Sequence, residues 1–365
     1  MSQKEFFGFS QQEAQKIIQD LKRYKYGKVL KVERKTKREN PPLLHSLTTL
    51  QREANKLYGF SANKTLNIAQ KLYEQRKLIS YPRTEAKHLP ASSKDLVAEI
   101  LKSLGREDLI KQISKVGKRV FDDSKLTDHH AIIPLAPPSG NLTADELKIY
   151  NLIKRRFLAV FYPPYVYEVI TVITEVGQKY FFLTREKVEI SLGWKELYSS
   201  KERKNPTLPD LKEGDKVKKL KEWAEKKQTQ PPPRYTEGTL LKEMEKLGLG
   251  TPATRAQIIE TLKKRRYITT RGKTLIPTEK GIELIKKLRQ SEVSSPEMTA
   301  RWEKALENIH LKKVGEKGYK LFMEKIKEFT TKELEKLKNL TFEVSSQFKT
   351  AKRKRKSYRR RRRTK

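Results

Sequence analysis

The chain has 365 residues, long enough for two or three domains, and its 82 Lys and Arg outnumber its 44 Asp and Glu to give a formal net charge of +38. An excess of that size calls for a polyanion, of which nucleic acid is the usual one and an anionic membrane surface the rival. The absence of Cys excludes disulfides and thiolate metal sites. No apolar run reaches spanning length and the start, MSQKEFFGFSQQEAQ, lacks a basic-then-apolar leader, so the sequence reads as soluble and cytoplasmic, with no membrane partner.

In chain order, the pattern predicts a short helix from Gln11 to Lys22 and then a basic strand-like piece, GKVLKVERKTKR. The stretch PPLLHSLTTLQREANKLYGF opens a helical region, with Thr48 and Gln51 as its expected capping box and Gly59 as its stop. Ser61 is expected to cap the next helix, along which Ala62, Leu66, Ala69 and Tyr73 recur at helical spacing. That helix leads to LISYPRTE, residues 78–85. Pro82 pushes the residue before it into an extended conformation, and in extended backbone residues two apart share a face. Tyr81 and Arg83 therefore point the same way. A phenol beside a guanidinium suits a phosphodiester, the one as attacking group and the other on the charged oxygens. On these eight residues alone, a packed tyrosine and a solvated arginine in a loop remain the favoured reading.

Helical patterns continue to about residue 160, interrupted by the loop DDSKLTDHHAIIP. Its His-His pair taken alone is an ordinary loop feature. Metal binding by the pair is not expected, since adjacent histidines diverge and no third ligand is near. From Pro163, YVYEVITVITEVGQKYFFLTREKVEI is rich in β-branched and aromatic residues and predicts antiparallel strands turning at Gly177. KNPTLPDLKEGD and KKQTQPPPR read as linkers. Beyond them Thr236 is expected to cap a helix ending at Gly248, and Thr251 with Pro252 a second one. RYITTRGKTLIPTEKG then reads strand, turn, strand, with Thr278 capping a third helix. Two helices and a basic hairpin make a winged-helix-like pattern. The last fifteen residues carry eleven Lys or Arg and no acid, as expected of a disordered arm that grips phosphates or of a localisation signal.

Taken together these stretches resemble the type IA DNA topoisomerases, closest to the topoisomerase III branch. PPLLHSLTTLQREANKLYGFSANKTLNIAQKLYEQRKLISYPRTE is similar to that family's approach to its catalytic tyrosine. DHHAIIP is similar to its H-x-A-I-x-P element, and PPPRYTEGTLLKEMEKLGLGTPATRAQIIETLKKRRYI to the part following its strand domain. The resemblance implies that Tyr81 attacks a single-stranded DNA phosphodiester, leaving a 5′-phosphotyrosine and a 3′-hydroxyl, and that resealing needs no nucleotide. Arg83 matches the arginine that holds the scissile phosphate. His129 matches the family histidine, two residues before Ala131, whereas His130 falls at the variable position. In the late part Arg234, Tyr235, Thr254 and Arg255 are candidates for gripping the single strand, with capping and solvation as their plainer role. Glu237 is expected only to favour a helix N-terminus.

The organisation that follows is a multidomain α+β chain. Residues 1–40 are a partial strand-domain remnant, 41–162 a helical domain with the catalytic tyrosine, and 163–230 an antiparallel strand domain. Residues 231–340 form a helical winged-helix-like DNA-binding domain and 341–365 a basic disordered tail. Departures from the family are Glu85 in place of Asp and Leu135 in place of Thr. The family's metal-binding domain, with a D-x-D-type cluster, a glutamate and a lysine, has no counterpart in the acids of FDDSKLTD and LPDLKEGD. Mg²⁺ is therefore expected from ligands outside this chain, on a separate metal-binding polypeptide, and the half-built strand domain is expected to leave an open edge. The expected substrates are single-stranded and negatively supercoiled DNA. A non-catalytic single-strand binder is the alternative. A tyrosine recombinase or relaxase would require an H-x-x-R box with a late tyrosine, or an H-x-H metal pair, and neither is present.

Overall fold

The structure, a computed structural model, describes residues 8–126, 128–138, 140–198, 208–338 and 340, so the basic tail expected at 341–365 lies outside the described residues. The chain forms two compact units, Met1–Ala54 with Lys64–Pro233 and Asn55–Asn63 with Arg234–Lys365.

In the first unit α1 (Gln11–Leu21) is started by Ser10 and Glu13, which cap each other's backbone N–H groups, and its apolar stripe ends at the buried Leu21. The strands β1 (Tyr26–Glu39), β2 (Tyr165–Val176), β3 (Tyr180–Ser191) and β4 (Lys216–Lys218) form one antiparallel sheet in the order β3-β2-β1-β4. A single sheet thus draws on both the 1–40 and the 163–230 segments. β1 pairs with β2 from Lys28 opposite Glu175 to Glu39 opposite Tyr165, with one bulge between Val29 and Lys31. Val29, Ile170 and Val172 are buried on one face, where Val32, Val188, Leu208 and Leu211 pack against them. The turn from β2 to β3 has positive φ at both Gly177 (66°) and Gln178 (56°), the twist that suits a tight hairpin. A Cβ on Gly177 would also come within 2.5 Å of the Tyr24 ring, so both the conformation and the packing there require glycine.

The helices of this unit are the ends of α2 (Leu47–Tyr58) and α3 (Ala62–Glu74), followed by α4 (Lys94–Ser103), α5 (Ile113–Val116) and α6 (Ala144–Ala159). Thr143 and Glu146 form a capping box at the start of α6. The core joins Leu89, Val97, Leu101, Phe121, Phe157 and Phe161 with Ala131 and Ile133 from the His-His loop. Burying each such large apolar side chain contributes about 1.5–3 kcal/mol, so this loop is pinned by its own apolar residues.

The cap of α2 differs from expectation. Ser46 accepts from Thr49 N at 3.4 Å, and Thr49 Oγ1 accepts from Ser46 N at 2.9 Å. The reciprocal box sits two residues earlier than the pair Thr48 and Gln51, because the helix begins at Leu47 and those two lie buried within it. Gly59 ends α2 with a φ of 70°, as expected of a helix stop.

In the second unit come α7 (Glu237–Lys246), α8 (Pro252–Lys264), the hairpin β5 (Ile268–Arg271) and β6 (Thr274–Pro277), then α9 (Glu279–Lys287), α10 (Pro296–His310) and α11 (Glu316–Lys338). Thr236, Thr251 and Thr278 occupy the three expected N-cap positions. Leu241, Met244, Ala256 and Ile259 enclose Ala62. Asn55 Oδ1 accepts from Gly238 N at 3.1 Å, so a side chain of the α2–α3 turn caps α7. Trp302 of α10 meets Phe322 and Phe329 of α11 edge-on.

Candidate active site

Two segments that pair antiparallel at residues 78–80 and 133–135 build the site. Ser80 N donates to Ile133 O at 3.0 Å, and Leu135 N to Leu78 O at 2.9 Å. The buried Ser80 hydroxyl adds a clamp, donating to Ala131 O at 3.0 Å and accepting from Ile133 N at 2.9 Å. The opposite flank of the His-loop strip is held as well: Ala131 N donates to His88 O and Ile132 N to His45 O. Burial alternates along the tyrosine segment. Pro82, Thr84 and Ala86 face inward, Arg83 and Glu85 are exposed, and Tyr81 is half-buried. The backbone bends at Pro82 and Arg83 and does not run on extended as expected, yet Tyr81 and Arg83 both reach α3, the one through Tyr73 and the other through Gln70.

Beyond the paired residues Tyr81 and His129 meet, with ring centroids 4.4 Å apart and planes inclined at 46°. Tyr73 of α3 touches Tyr81 edge-on at 5.5 Å. His129 is exposed, whereas the half-buried His130 turns away and its Nδ1 bonds Ala131 O at 2.8 Å, which makes that nitrogen the donor. Arg83 is exposed and donates from Nε to Gln70 Oε1 at 3.1 Å.

Behind the strip lies a buried polar cluster. His45 is fully buried, its Nδ1 is 3.1 Å from Thr49 Oγ1, and its Nε2 has no hydrogen-bond partner among the described residues. Burial, and secondarily the Arg156 cation, holds the His45 imidazole well below its ordinary range. Glu53 lies 3.5 Å from Nε2 and would favour the imidazolium, but Arg156 already pairs with that carboxylate. Desolvation wins, and His45 is neutral.

The candidates of the second unit divide. Arg234 and Tyr235 are exposed, the latter by 50%. Arg255 is buried, and its guanidinium donates from Nε to Leu249 O and from Nη2 to Gly250 O, both at 3.0 Å. It is not placed to meet a phosphate, because it satisfies carbonyls left bare by the turn that precedes α8. Thr254 is exposed, but its hydroxyl accepts from Thr251 N at 2.8 Å and donates to Thr251 O at 3.3 Å, the capping role. Glu237 does more than favour a helix end: it is buried, accepts from Ala62 N at 2.8 Å and pairs with Lys263. The bonds from Gln70 to Arg83, between Ser80 and Ala131 and between Asn55 and Gly238 are marked by no local pattern, since they span 13 or more residues.

A helical approach, a tyrosine strip and a paired histidine loop match a known class. The family described as DNA topoisomerase matches residues 2–321. DNA topoisomerase 3 of Bacillus cereus is 35% identical over 367 residues, covering 91% of this chain and 50% of that protein. DNA topoisomerase 3 of Bacillus subtilis is 34% identical over 368 residues with the same coverage. The solved structure of full-length topoisomerase I from Thermotoga maritima superposes with a TM-score of 0.72 at 27% identity, over 94% of this chain and 59% of that one. The chain belongs to the DNA topoisomerase family, in its type IA, topoisomerase III-like branch. It spans half the length of the curated relatives it matches.

Mg²⁺ is implied by the family, but the donors here do not fit it: among the described residues no three His, Asp or Glu side chains converge to hold a metal. No described helix is long and apolar enough to cross a membrane.

Proposed function

We propose that this chain carries the strand-cleaving tyrosine of a type IA topoisomerase reaction on single-stranded DNA, relaxing negatively supercoiled DNA. The observation that carries the reading is the ring contact between Tyr81 and His129 on a strip that also exposes Arg83. In the step proposed, the Tyr81 oxygen loses its proton and bonds to phosphorus. The bond from phosphorus to the 3′-oxygen breaks, and that oxygen leaves as a hydroxyl after taking up a proton. Resealing reverses each transfer and restores the phosphodiester. A free phenol attacks poorly at neutral pH, so charge must be stabilised as it develops on the phosphate oxygens. Arg83 supplies a fixed cation with planar donors, and His129 a ring N–H within reach of a phosphate oxygen or of the 3′-oxygen.

Arg234 and Tyr235 are proposed to grip the strand, a cation on phosphate and an aromatic face under a base. The Mg²⁺ requirement would be met by a metal-binding domain, proposed to lie on a separate polypeptide. The proposed location is the cytoplasm, at the nucleoid.

The test is to trap the intermediate. The chain, mixed with the metal-binding domain of its own source and a 5′-side-labelled or 3′-side-labelled single strand, is quenched in SDS. Adduct should form through the 5′ end and vanish in Tyr81→Phe while binding persists. Adduct surviving in that variant would overturn the assignment, and tight binding with no adduct under any condition would leave a non-catalytic binder.

A further inference from the structure

Arg83 is held by more than its own backbone. Gln70 and Glu74 lie on α3 one turn apart, and Tyr73 between them touches Tyr81, so one face of this helix serves the tyrosine strip. Gln70 Oε1 accepts the Arg83 Nε–H at 3.1 Å, and Gln70 Nε2 donates to Glu74 Oε1 at 2.5 Å. A carboxamide has one accepting and one donating end, and only one orientation satisfies both neighbours. Rotated by half a turn, it would set its N–H groups against the guanidinium and its oxygen against the carboxylate.

We propose that Gln70 is a positioning residue for Arg83, oriented by Glu74, which commits the guanidinium to meet its anion end-on through Nη1 and Nη2. An arginine can grip a phosphate side-on, through Nε and one Nη, or end-on through both Nη groups. The bond to Gln70 removes the first choice. Among the described residues no carboxylate pairs with Arg83, so the four Nη hydrogens face no competing anion. An amide is the suitable tether because it accepts the Nε–H without cancelling the charge that the phosphate needs. A carboxylate at position 70 would hold the same nitrogen and repel the anion.

This rests on Arg83 being the phosphate holder, but its test is separable from that reading. Exchange of the Arg83 Nε–H with water, followed by NMR on the full chain and assigned with Arg83→Lys, should be about tenfold faster in Gln70→Ala than in the parent, as for loss of a bond from a charged donor. Gln70→Glu should keep the slow exchange and weaken single-strand binding. In the trapping reaction Gln70→Ala should slow adduct formation at saturating DNA about tenfold with little change in Kd, as expected for lost orientation. Combined with Arg83→Ala, it should cost nothing further. Equal exchange in parent and Gln70→Ala overturns the proposal, as does an undiminished effect of Gln70→Ala on the Arg83→Ala background. If Tyr81→Phe still forms adduct, the cleavage reading fails and the exchange measurement still decides this one.

Discussion

Arg83 and Arg255 are the same residue type in two different situations. Arg83 sits on an exposed strip with one neutral tether at Nε and no carboxylate partner among the described residues. Arg255 is buried, and its Nε and Nη2 both serve carbonyls of its own turn. The first can receive an anion, whereas the second would have to leave two carbonyls bare to do so. Availability therefore separates a site from a scaffold here more clearly than charge, which is plentiful throughout a chain of net +38.

The comparison is broken most severely at Arg83. Arg83→Lys keeps the charge but loses the fork, and cleavage in the trapping assay should fall by about ten- to a thousandfold with an unchanged denaturation midpoint. The contrast within the histidine pair is next. His129→Ala should slow cleavage by about ten- to a hundredfold, and His130→Ala by much less, because only the first ring touches Tyr81. A larger loss at position 130 would mean that the loop is shifted by one residue relative to the chemistry.

Arg255→Met sharpens the other side. It should lower the stability of the second unit by about 2–3 kcal/mol, seen in the denaturant midpoint of Trp302 fluorescence, while the salt dependence of DNA binding stays as it was. A flatter salt slope with normal stability would return Arg255 to the DNA interface.

The smallest effect comes from the floor of the site. The folded value of His45 is depressed, so its contribution to stability is present above its ordinary value of about 6.5 and is lost as pH falls below it. Stability should decline by up to about 1.4 kcal/mol per pH unit there, and the slope should shrink in His45→Gln. His88, also lowered chiefly by burial, adds a smaller slope of the same sign. Denaturation midpoints between pH 7.5 and 5.5 would check this, and identical slopes in the two proteins would count against it.

Short-range chemistry was legible in the sequence. Thr236, Thr251 and Thr278 fall at helix starts and Gly177 at the hairpin turn, because each depends on neighbours within a few residues, whereas the extended backbone expected across Pro82 gives way to a bend. The α2 cap was displaced because Ser46 and Thr48 are both acceptable caps, and only the burial of Leu47, Thr48 and Gln51 decides between them. The roles of Arg255, Glu237 and Gln70 were not legible for another reason. Arginine and glutamate carry a prior of exposure, and the bonds that overturn it for Glu237 span 175 and 26 residues. A sequence pattern records no such pairing.

The outer flank of β3 bears on how the protein behaves in concentrated solution. Among the described residues its strand ladder runs to β2 alone, and the stretch from Tyr180 to Leu183 exposes Phe181, Phe182 and Leu183 without a charge. Such a ribbon is a template for a like ribbon on another copy. Arg185 and Lys187 guard only the rest of the strand, so much of the protection must come from the mutual repulsion of two strongly cationic bodies. Repulsion of that kind is short-ranged in salt, with a screening length of about 8 Å at physiological ionic strength. The same salt that loosens the grip on phosphates thus also lets one copy approach the next, and colloidal stability and nucleic-acid release become opposing demands on one solvent variable.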